Sequence, residues 1–412
     1  MSQPRTSDRF PALDGLRAFA AFAVVCTHVG FISGRSLDND ILGPILSRGD
    51  FGVALFFLLS GFLLYRPFAL HVIAGAPSPR TARFLWRRAV RIVPAMTIFV
   101  IVTLTFLTPY RVRASDYLHY LLLIQTYDHH DYDPNLAHLW TLAIEVSFYL
   151  LLPVLGWLSA RMAGTLRRAL AGQACLLAAM VMAPPLFNLA QLRWLPGSQA
   201  LLWLPAYTDW FAIGMALAVF SAIPAGAPVM PRIRRVLLDW AAAPGTCWLA
   251  AGVLYLLSSL PLGNPRTLAP ALYWQWTAQH TLYGAAAFFL MLPLVLGEHP
   301  GIDRVLGSRA ARFGGNISYS VYLWHVPLMP KVQSALGYHE FDGHFLSLLA
   351  ATLLAAIAAA TVSWYLLERP ALRYASASWR RPSASPEPAP APEPTGPPEP
   401  TAPMTSAATQ SS

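Results

Sequence analysis

Two ionisable residues lie on the first hydrophobic segment of the chain, where a membrane helix ordinarily carries none. Arg17 stands near the start of residues 13–31, and His28 follows eleven positions later. At about 1.5 Å per residue, a helix separates them by roughly 16 Å. Polar groups at membrane depth are costly, and they mark substrate paths or reaction centres. An anion-binding arginine and a proton-transferring histidine on one helix predict chemistry on a long donor with a charged head.

Glu145 and His325 are further ionisable residues inside apolar segments, the fourth and the ninth. A carboxylate at membrane depth needs a partner or a proton. The topology predicted below gives Glu145 and His28 a similar depth in the outer half of the membrane. Because a histidine oriented by a carboxylate is a recurrent general base, we predict that these two form a catalytic pair. A hydrogen bond to neighbouring backbone explains His28 alone equally well. His325 either lines the same cavity or fixes the kink before Pro327.

The loop between the second and third segments is rich in arginine. Arginines spaced by four residues share one face of a helix, and guanidinium groups bind phosphate through a fixed two-point geometry. We predict that this loop and the start of the first segment hold a donor that carries phosphate. The alternative is a patch for anionic lipid headgroups. The predicted donor-binding residues are Arg17, Arg66, Arg88 and Arg91.

Composition indicates a membrane protein. Of the 412 residues, 55% are hydrophobic and 12% are charged, whereas a soluble domain carries about 25% charged residues. The mean hydropathy is +0.45. Ten apolar runs approach the length that crosses a bilayer, which predicts an all-α polytopic bundle of about ten transmembrane helices. Their approximate bounds are 13–32, 51–69, 92–109, 138–158, 169–190, 204–222, 240–260, 281–297, 317–336 and 344–367.

The distribution of charge sets the expected orientation. With the amino terminus inside, only seven of the 29 Lys and Arg residues lie outside, and the positive-inside rule then places both termini in the cytoplasm. The net charge of +9 is therefore mainly a topology signal and does not indicate nucleic-acid binding. We expect a multi-pass protein in the bilayer of the cell's inner (plasma) membrane. Its parts are a cytoplasmic lead-in over 1–12, a membrane domain over 13–374 and a disordered Pro-, Ala- and Ser-rich cytoplasmic tail over 375–412.

No metal site is expected. The outer-loop run DHHDYD at 128–133 contains side chains that bind metals. Their spacing matches no specific metal motif, and solvated loops often have this composition. The three cysteines all fall within apolar segments and form no evident framework. The chain also lacks a Gly-rich phosphate loop, a G-x-S-x-G elbow and an H-E-x-x-H motif.

Five short motifs follow one another along the membrane domain. They are LDGLRA at 13–18 with His28 following, FFLLSGF at 56–62, RAVRIVP at 88–94, HLWTLAIE at 138–145 and SYSVYLWH at 318–325. With these motifs the chain resembles the acyltransferase-3 family of integral membrane acyltransferases. The resemblance spans almost the whole membrane domain, and the motifs stand in family order.

The resemblance implies ten membrane helices and the transfer of an acyl group, often acetyl, from cytoplasmic acyl-CoA. The implied acceptor is a hydroxyl of a glycan, a glycolipid or a secondary metabolite such as a macrolide. Acyl-CoA, expected to be acetyl-CoA, is then a substrate, and no cofactor is bound permanently. His28 matches the histidine regarded as catalytic in the family. Arg17 and the pair Arg88 and Arg91 match arginines thought to handle the donor.

The chain departs from the family pattern at two positions. Ala54 stands where the family often has aspartate, and Val146 follows Glu145 where a second glutamate is common. The missing carboxylates indicate a divergent subgroup. Ser60 is a further candidate as a nucleophile in an acyl-enzyme mechanism.

Two other classes of function also fit the residues. A proton-coupled transporter uses buried Arg, His and Glu in the same way, although it does not require phosphate-binding arginines at one face. A scaffold that only binds lipid headgroups needs neither His28 nor Glu145.

Overall fold

Long apolar runs form helices because a helix satisfies every backbone polar group within its own segment, as a bilayer demands. The computed structural model describes residues 10–127, 133–194, 199–224, 226–227, 232–260 and 273–377. Throughout these ranges the regular elements are helical, and no strand is present. The α-helices are α1 (Ala12–Ile32), α2 (Leu42–Leu46), α3 (Phe51–Ala74), α4 (Thr81–Val102), α5 (Ala114–Leu121), α6 (Trp140–Arg161), α7 (Leu166–Trp194), α8 (Thr208–Ala222), α9 (Arg232–Ala241), α10 (Pro244–Ser259), α11 (Tyr273–Leu296), α12 (Pro300–Leu306), α13 (Arg309–Ala335), α14 (Phe345–Ser363) and α15 (Arg369–Ala377).

Shorter helical turns complete the path of the chain. Turns of 3-10 helix lie at Arg35–Leu37, Pro134–Leu139, Gln199–Leu202 and Leu204–Tyr207. Turns of π-helix extend α4 at Thr103–Leu107 and α14 at Trp364–Glu368.

The predicted all-α polytopic architecture is confirmed. Within the described ranges, eight helical segments are long and apolar enough to cross a membrane, and a ninth forms if α9 and α10, bent by 94°, count as one span. The remaining predicted segment, 317–336, lies in α13, which has 27 residues but does not meet the same criteria. α13 packs against α1 and α14. Polar side chains of α13 such as His325 and Gln333 are consequently buried in protein.

α3 is the central helix of the bundle and packs against α1, α6, α8 and α11. It is apolar on every side, as expected of a helix surrounded by others. Gly61 of α3 lies against the backbone of Phe211 in α8, and Gly214 of α8 lies against the backbone of Leu58. Small residues at these positions let the two backbones approach closely, the usual mode of tight helix packing in membranes.

A second close approach joins α1 to α13. A Cβ atom at Gly315 would lie 2.5 Å from the carbonyl oxygen of Asp14. The absence of a side chain at Gly315 therefore lets α13 lie directly on α1. As a result, the far end of α1, with His28, lies beside the middle of α13, with His325.

Several of the predicted boundaries move; α11, for example, begins at Tyr273, eight residues before the predicted eighth segment. α4 begins at Thr81, eleven residues before the predicted third segment, because the arginine-rich loop continues as helix into the apolar run. α15 continues to Ala377, past the expected end of the membrane domain at 374. Most of the predicted cytoplasmic lead-in, 1–9, and the rest of the predicted tail, 378–412, lie outside the described residues.

Candidate active site

His28 of α1 is hydrogen-bonded to His325 of α13. The distance from His28 Nδ1 to His325 Nε2 is 2.8 Å, and His325 Nδ1 lies 2.7 Å from the carbonyl oxygen of Tyr322. Because a carbonyl only accepts, we assign the His325 proton to Nδ1. His325 Nε2 then accepts from the Nδ1–H of His28. This arrangement leaves the lone pair of His28 on Nε2, available to take up a proton.

His138, on the turn before α6, is a third histidine at this place that the prediction did not assign to the site. Pro327 lacks an N–H, so the carbonyl of Leu323 one turn earlier loses its helical donor. The Nε2–H of His138 donates to that carbonyl at 3.1 Å. His138 Nδ1 is buried and finds no partner among the described residues. The feature of the sequence that could have assigned His138 to the site is its position as the first residue of the motif HLWTLAIE.

His28 and His138 both line a cavity of about 470 Å³, within the range typical of ligand sites. His325 is fully buried behind His28 and is not among the residues of the cavity wall. It therefore supports His28 rather than forming part of the wall. Other polar wall residues are Asp50, Tyr322 and Glu340.

Two loops are joined by backbone hydrogen bonds beside this cavity. The N–H of Phe341 donates to the carbonyl of Ile32 at 2.9 Å, and Phe341 lines the cavity. In the loop after α1, Arg35 pairs with Asp38 at 2.7 Å and with Asp40 at 2.5 Å. The hydrogen bond from Arg35 lowers the pKa of Asp40 to about 2.

Glu145 does not form the predicted pair with His28. Its Oε1 accepts hydrogen bonds from Ser60 Oγ at 2.7 Å and from the Tyr149 hydroxyl at 2.5 Å. Position along the sequence gave the two residues a similar depth, but it does not determine which way each helix faces. On α6, Glu145 lies toward a different cavity of about 300 Å³.

Three of the four predicted donor-binding arginines lie on that second cavity. Arg17, Arg88 and Arg91 all line it together with Glu145 and Ser60. Arg17 also pairs with Asp14 at 3.2 Å. The first helix thus reaches both cavities, with Arg17 on one and His28 on the other. The two cavities have Val53 and Tyr322 in common.

The arginine loop forms a groove that leads to the second cavity. The groove has a volume of about 690 Å³, and Arg88 belongs to both walls. Arg66 lines neither space; its guanidinium lies 5.1 Å from the ring centroid of Phe10. The other arginines of the groove are Arg80, Arg83 and Arg87.

No cluster of three or more metal-binding side chains occurs in the part of the chain that the structure describes. Five of the six residues of the outer-loop run 128–133 lie outside that part. The sixth, Asp133, accepts hydrogen bonds from Thr108 Oγ1 at 2.6 Å and from the N–H of Asn135 at 2.8 Å. Asp133 thus serves the local structure.

Comparison with known proteins connects this geometry to a family. The acyltransferase-3 family model, described as an acyltransferase domain, matches residues 10–368. The peptidoglycan O-acetyltransferase OatA of Listeria monocytogenes is 25% identical over 344 residues, which is 77% of this chain and 49% of the relative. The O-acetyltransferase OatA of Staphylococcus aureus is 30% identical over 167 residues, 35% of this chain and 24% of the relative.

A third relative is matched over most of its length. Nodulation protein 10 of Rhizobium leguminosarum bv. viciae is 26% identical over 392 residues, 87% of this chain and 92% of the relative. By contrast, the chain spans about half the length of the first of the OatA relatives and about a quarter of the second. No solved structure matches the chain significantly.

Proposed function

The chain belongs to the acyltransferase-3 family, and we propose that it moves an acyl group, commonly acetyl, from a cytoplasmic acyl-CoA to a hydroxyl group of a glycan. A hydroxyl group of a glycolipid or of a macrolide-like metabolite could accept the acyl group by the same reaction. The observation that carries the proposal is the pair of adjoining cavities, one with three arginines and the other with His28. The names of the OatA relatives support O-acetyl transfer and a glycan acceptor.

The donor is proposed to enter through the arginine groove. Arg88 and Arg91 bind its phosphates, with Arg17 at the inner end. Guanidinium groups match phosphate oxygens in pairs, and a dry site strengthens these contacts. The arm of the donor then extends along α1 toward His28, roughly 16 Å from Arg17 by helix rise. In this proposal the thioester lies at the boundary between the two cavities, which is lined by Val53 and Tyr322.

His28 is proposed as the general base. Its Nε2 takes the proton of the acceptor hydroxyl while the hydroxyl oxygen attacks the thioester carbonyl carbon. The carbon–sulfur bond then breaks, and the imidazolium returns the proton to the departing thiolate, which gives free CoA and the ester. A positioned general base contributes about 10²- to 10⁴-fold to the rate. His325 Nε2 holds the Nδ1–H of His28 and so keeps the reacting nitrogen directed to the cavity.

Binding of acetyl-CoA to the purified protein tests the donor assignment. A ligand that binds only the folded state stabilises it by about 2.7 kcal/mol at one hundred times its Kd. We expect acetyl-CoA to raise the thermal midpoint of the wild type and not that of Arg88→Ala. Arg168→Ala, which removes an exposed arginine that lines neither cavity, should respond like the wild type.

The same experiment distinguishes the proposed acyltransferase from a proton-coupled transporter. A proton-coupled transporter that uses the buried Arg, His and Glu residues has no need of CoA phosphates. An unchanged midpoint at saturating acetyl-CoA, together with proton-coupled solute flux in vesicles, would overturn the proposal. The proposed location is the inner (plasma) membrane.

A further inference from the structure

A small pocket with aromatic walls adjoins the His28 cavity. Its aromatic wall residues come from four parts of the chain: Trp140, Tyr207, Trp210, Trp276 and Tyr283. The volume is about 140 Å³. An engineered cavity of about 150 Å³ in another protein holds one benzene molecule, so this pocket has room for one six-membered ring.

The walls of the pocket are held in place by stacking. The His280 ring lies between two tryptophans, with its centroid 4.1 Å from that of Trp210 and 4.5 Å from that of Trp276. His280 Nε2 lies 2.9 Å from both carboxylate oxygens of Asp209. The pocket is consequently preorganised, and a ligand that enters it orders few side chains.

Hydrogen-bond acceptors are placed among the aromatic rings. Gln279 is 8% exposed, its Nε2 donates to the Tyr283 hydroxyl at 2.8 Å, and its Oε1 has no partner in the described part of the chain. The Tyr283 hydroxyl in turn donates to Asp50 Oδ1 at 2.5 Å. A buried acceptor without a partner costs stability unless a ligand satisfies it. The pocket thus offers flat apolar faces beside one buried acceptor, Gln279 Oε1, that needs a donor.

The pocket meets both the arginine cavity and the His28 cavity at Val53. It has Asp50, Val53 and Trp140 in common with the His28 cavity. A ring seated in it therefore borders the His28 cavity at these three residues.

We propose that this pocket binds one sugar ring of the acceptor, an inference that rests on the proposed function. A pyranose has faces of C–H groups, which pack on aromatic rings, and an edge of hydroxyl groups, which donate to carboxylate and amide oxygens. Pockets with this combination fix the orientation of a ligand through a few polar contacts. The ring is held between Trp140 and Trp276, with one hydroxyl on Gln279 Oε1 and another directed toward His28.

The test uses the full chain in detergent micelles, with acetyl-CoA as donor and two acceptors, methyl β-N-acetylglucosaminide and 1-hexanol. Trp276→Ala should raise the KM for the glycoside about tenfold and leave the KM values for hexanol and acetyl-CoA within twofold. Gln279→Met should raise the KM for the glycoside in the same selective way. Trp274→Ala is the matched control, because Trp274 lies on the same helix, is 52% exposed and lines none of these cavities.

Binding without the donor separates this proposal from the proposed function. The glycoside alone should raise the thermal midpoint of the wild type and of Trp274→Ala, and not that of Trp276→Ala, whether or not acyl transfer occurs. An equal rise in KM for hexanol and the glycoside would overturn the sugar subsite. So would stabilisation by choline in place of the glycoside, as expected for a cation held by the aromatic rings. Normal glycoside kinetics in both folded variants would also overturn it, while leaving acyl transfer intact.

Discussion

The hydrogen bond between His28 and His325 yields the sharpest prediction. His325→Leu removes the acceptor of the His28 Nδ1–H and leaves an apolar side chain in a fully buried position. A hydrogen bond to a charged group is worth about 1.5–3 kcal/mol, and His28 becomes charged only as it takes the proton. With about 1.4 kcal/mol for each tenfold change, kcat should fall roughly 10- to 100-fold. The KM for acetyl-CoA should stay within twofold, because the arginine cavity is unaltered.

Release of CoA from acetyl-CoA, followed with a thiol reagent in the presence of methyl β-N-acetylglucosaminide, measures this effect. His325→Gln is the informative companion, because its amide oxygen can accept from the same N–H. It should recover most of the lost rate. His28→Ala should lose about 10²- to 10⁴-fold, the contribution of a general base.

A double variant separates positioning from an independent catalytic role. If His325 acts only through His28, then adding His325→Leu to His28→Ala should cost nothing further, since residues that act as a unit are not additive. If the rate losses of the two single variants multiply in the double variant, His325 does not act through His28 alone, and the positioning role is refuted. An unchanged kcat in His325→Leu with a normal thermal midpoint would also refute it.

Three further predictions concern transfer, packing and pH. Ser60→Ala should keep kcat within about threefold, because direct transfer needs no acyl-serine; loss of all transfer in this variant, together with an acyl group on Ser60 of the wild type by mass spectrometry, would contradict this. Gly61→Leu should lower the thermal midpoint sharply, as overpacking costs about 1–3 kcal/mol or more, whereas Gly252→Leu, where a Cβ meets open space, should not; equal midpoints would refute the α3–α8 contact. Asp40, whose pKa Arg35 lowers to about 2, should protect the amide of Gly43, to which it is bonded at 2.8 Å. Its contribution is complete above an ordinary pKa of about 3.9 and is lost as the pH falls through about 2. The protection factor of the Gly43 amide against hydrogen exchange should therefore fall over that window in the wild type. It should be low at all pH values in Asp40→Ala, which lacks the acceptor; unchanged protection in this variant would contradict the assignment.

Much of the fold followed from local pattern. Apolar runs of sufficient length predicted the spanning helices, and the structure confirms them at nearly every predicted place. The prediction erred at the start of α4. Hydropathy placed the start of this segment just after Arg91, although the helix begins at Thr81. α13 shows a related limit, because its polar residues are tolerated only through their burial against α1 and α14.

The sequence predicted the grouping of the arginines but not the partner of Glu145. Arg17 and the pair Arg88 and Arg91 do meet on one cavity, as their shared end of the bundle indicated. Glu145 was assigned to His28 on depth alone, and the structure gives it to Ser60 and Tyr149. Depth follows from counting residues, but the direction in which a side chain points depends on how each helix is rotated against its neighbours.

The sequence by itself determined that this is a polytopic membrane protein of the acyltransferase-3 family. Composition, hydropathy and short motifs are local properties, and they need no knowledge of which helices touch. Tertiary structure alone decided which groups work together. His28 and His325 are 297 positions apart, and they meet because glycines let α1, α13 and their neighbours pack at close range. Such contacts arise from the shapes of facing helix surfaces, a property that no single segment carries.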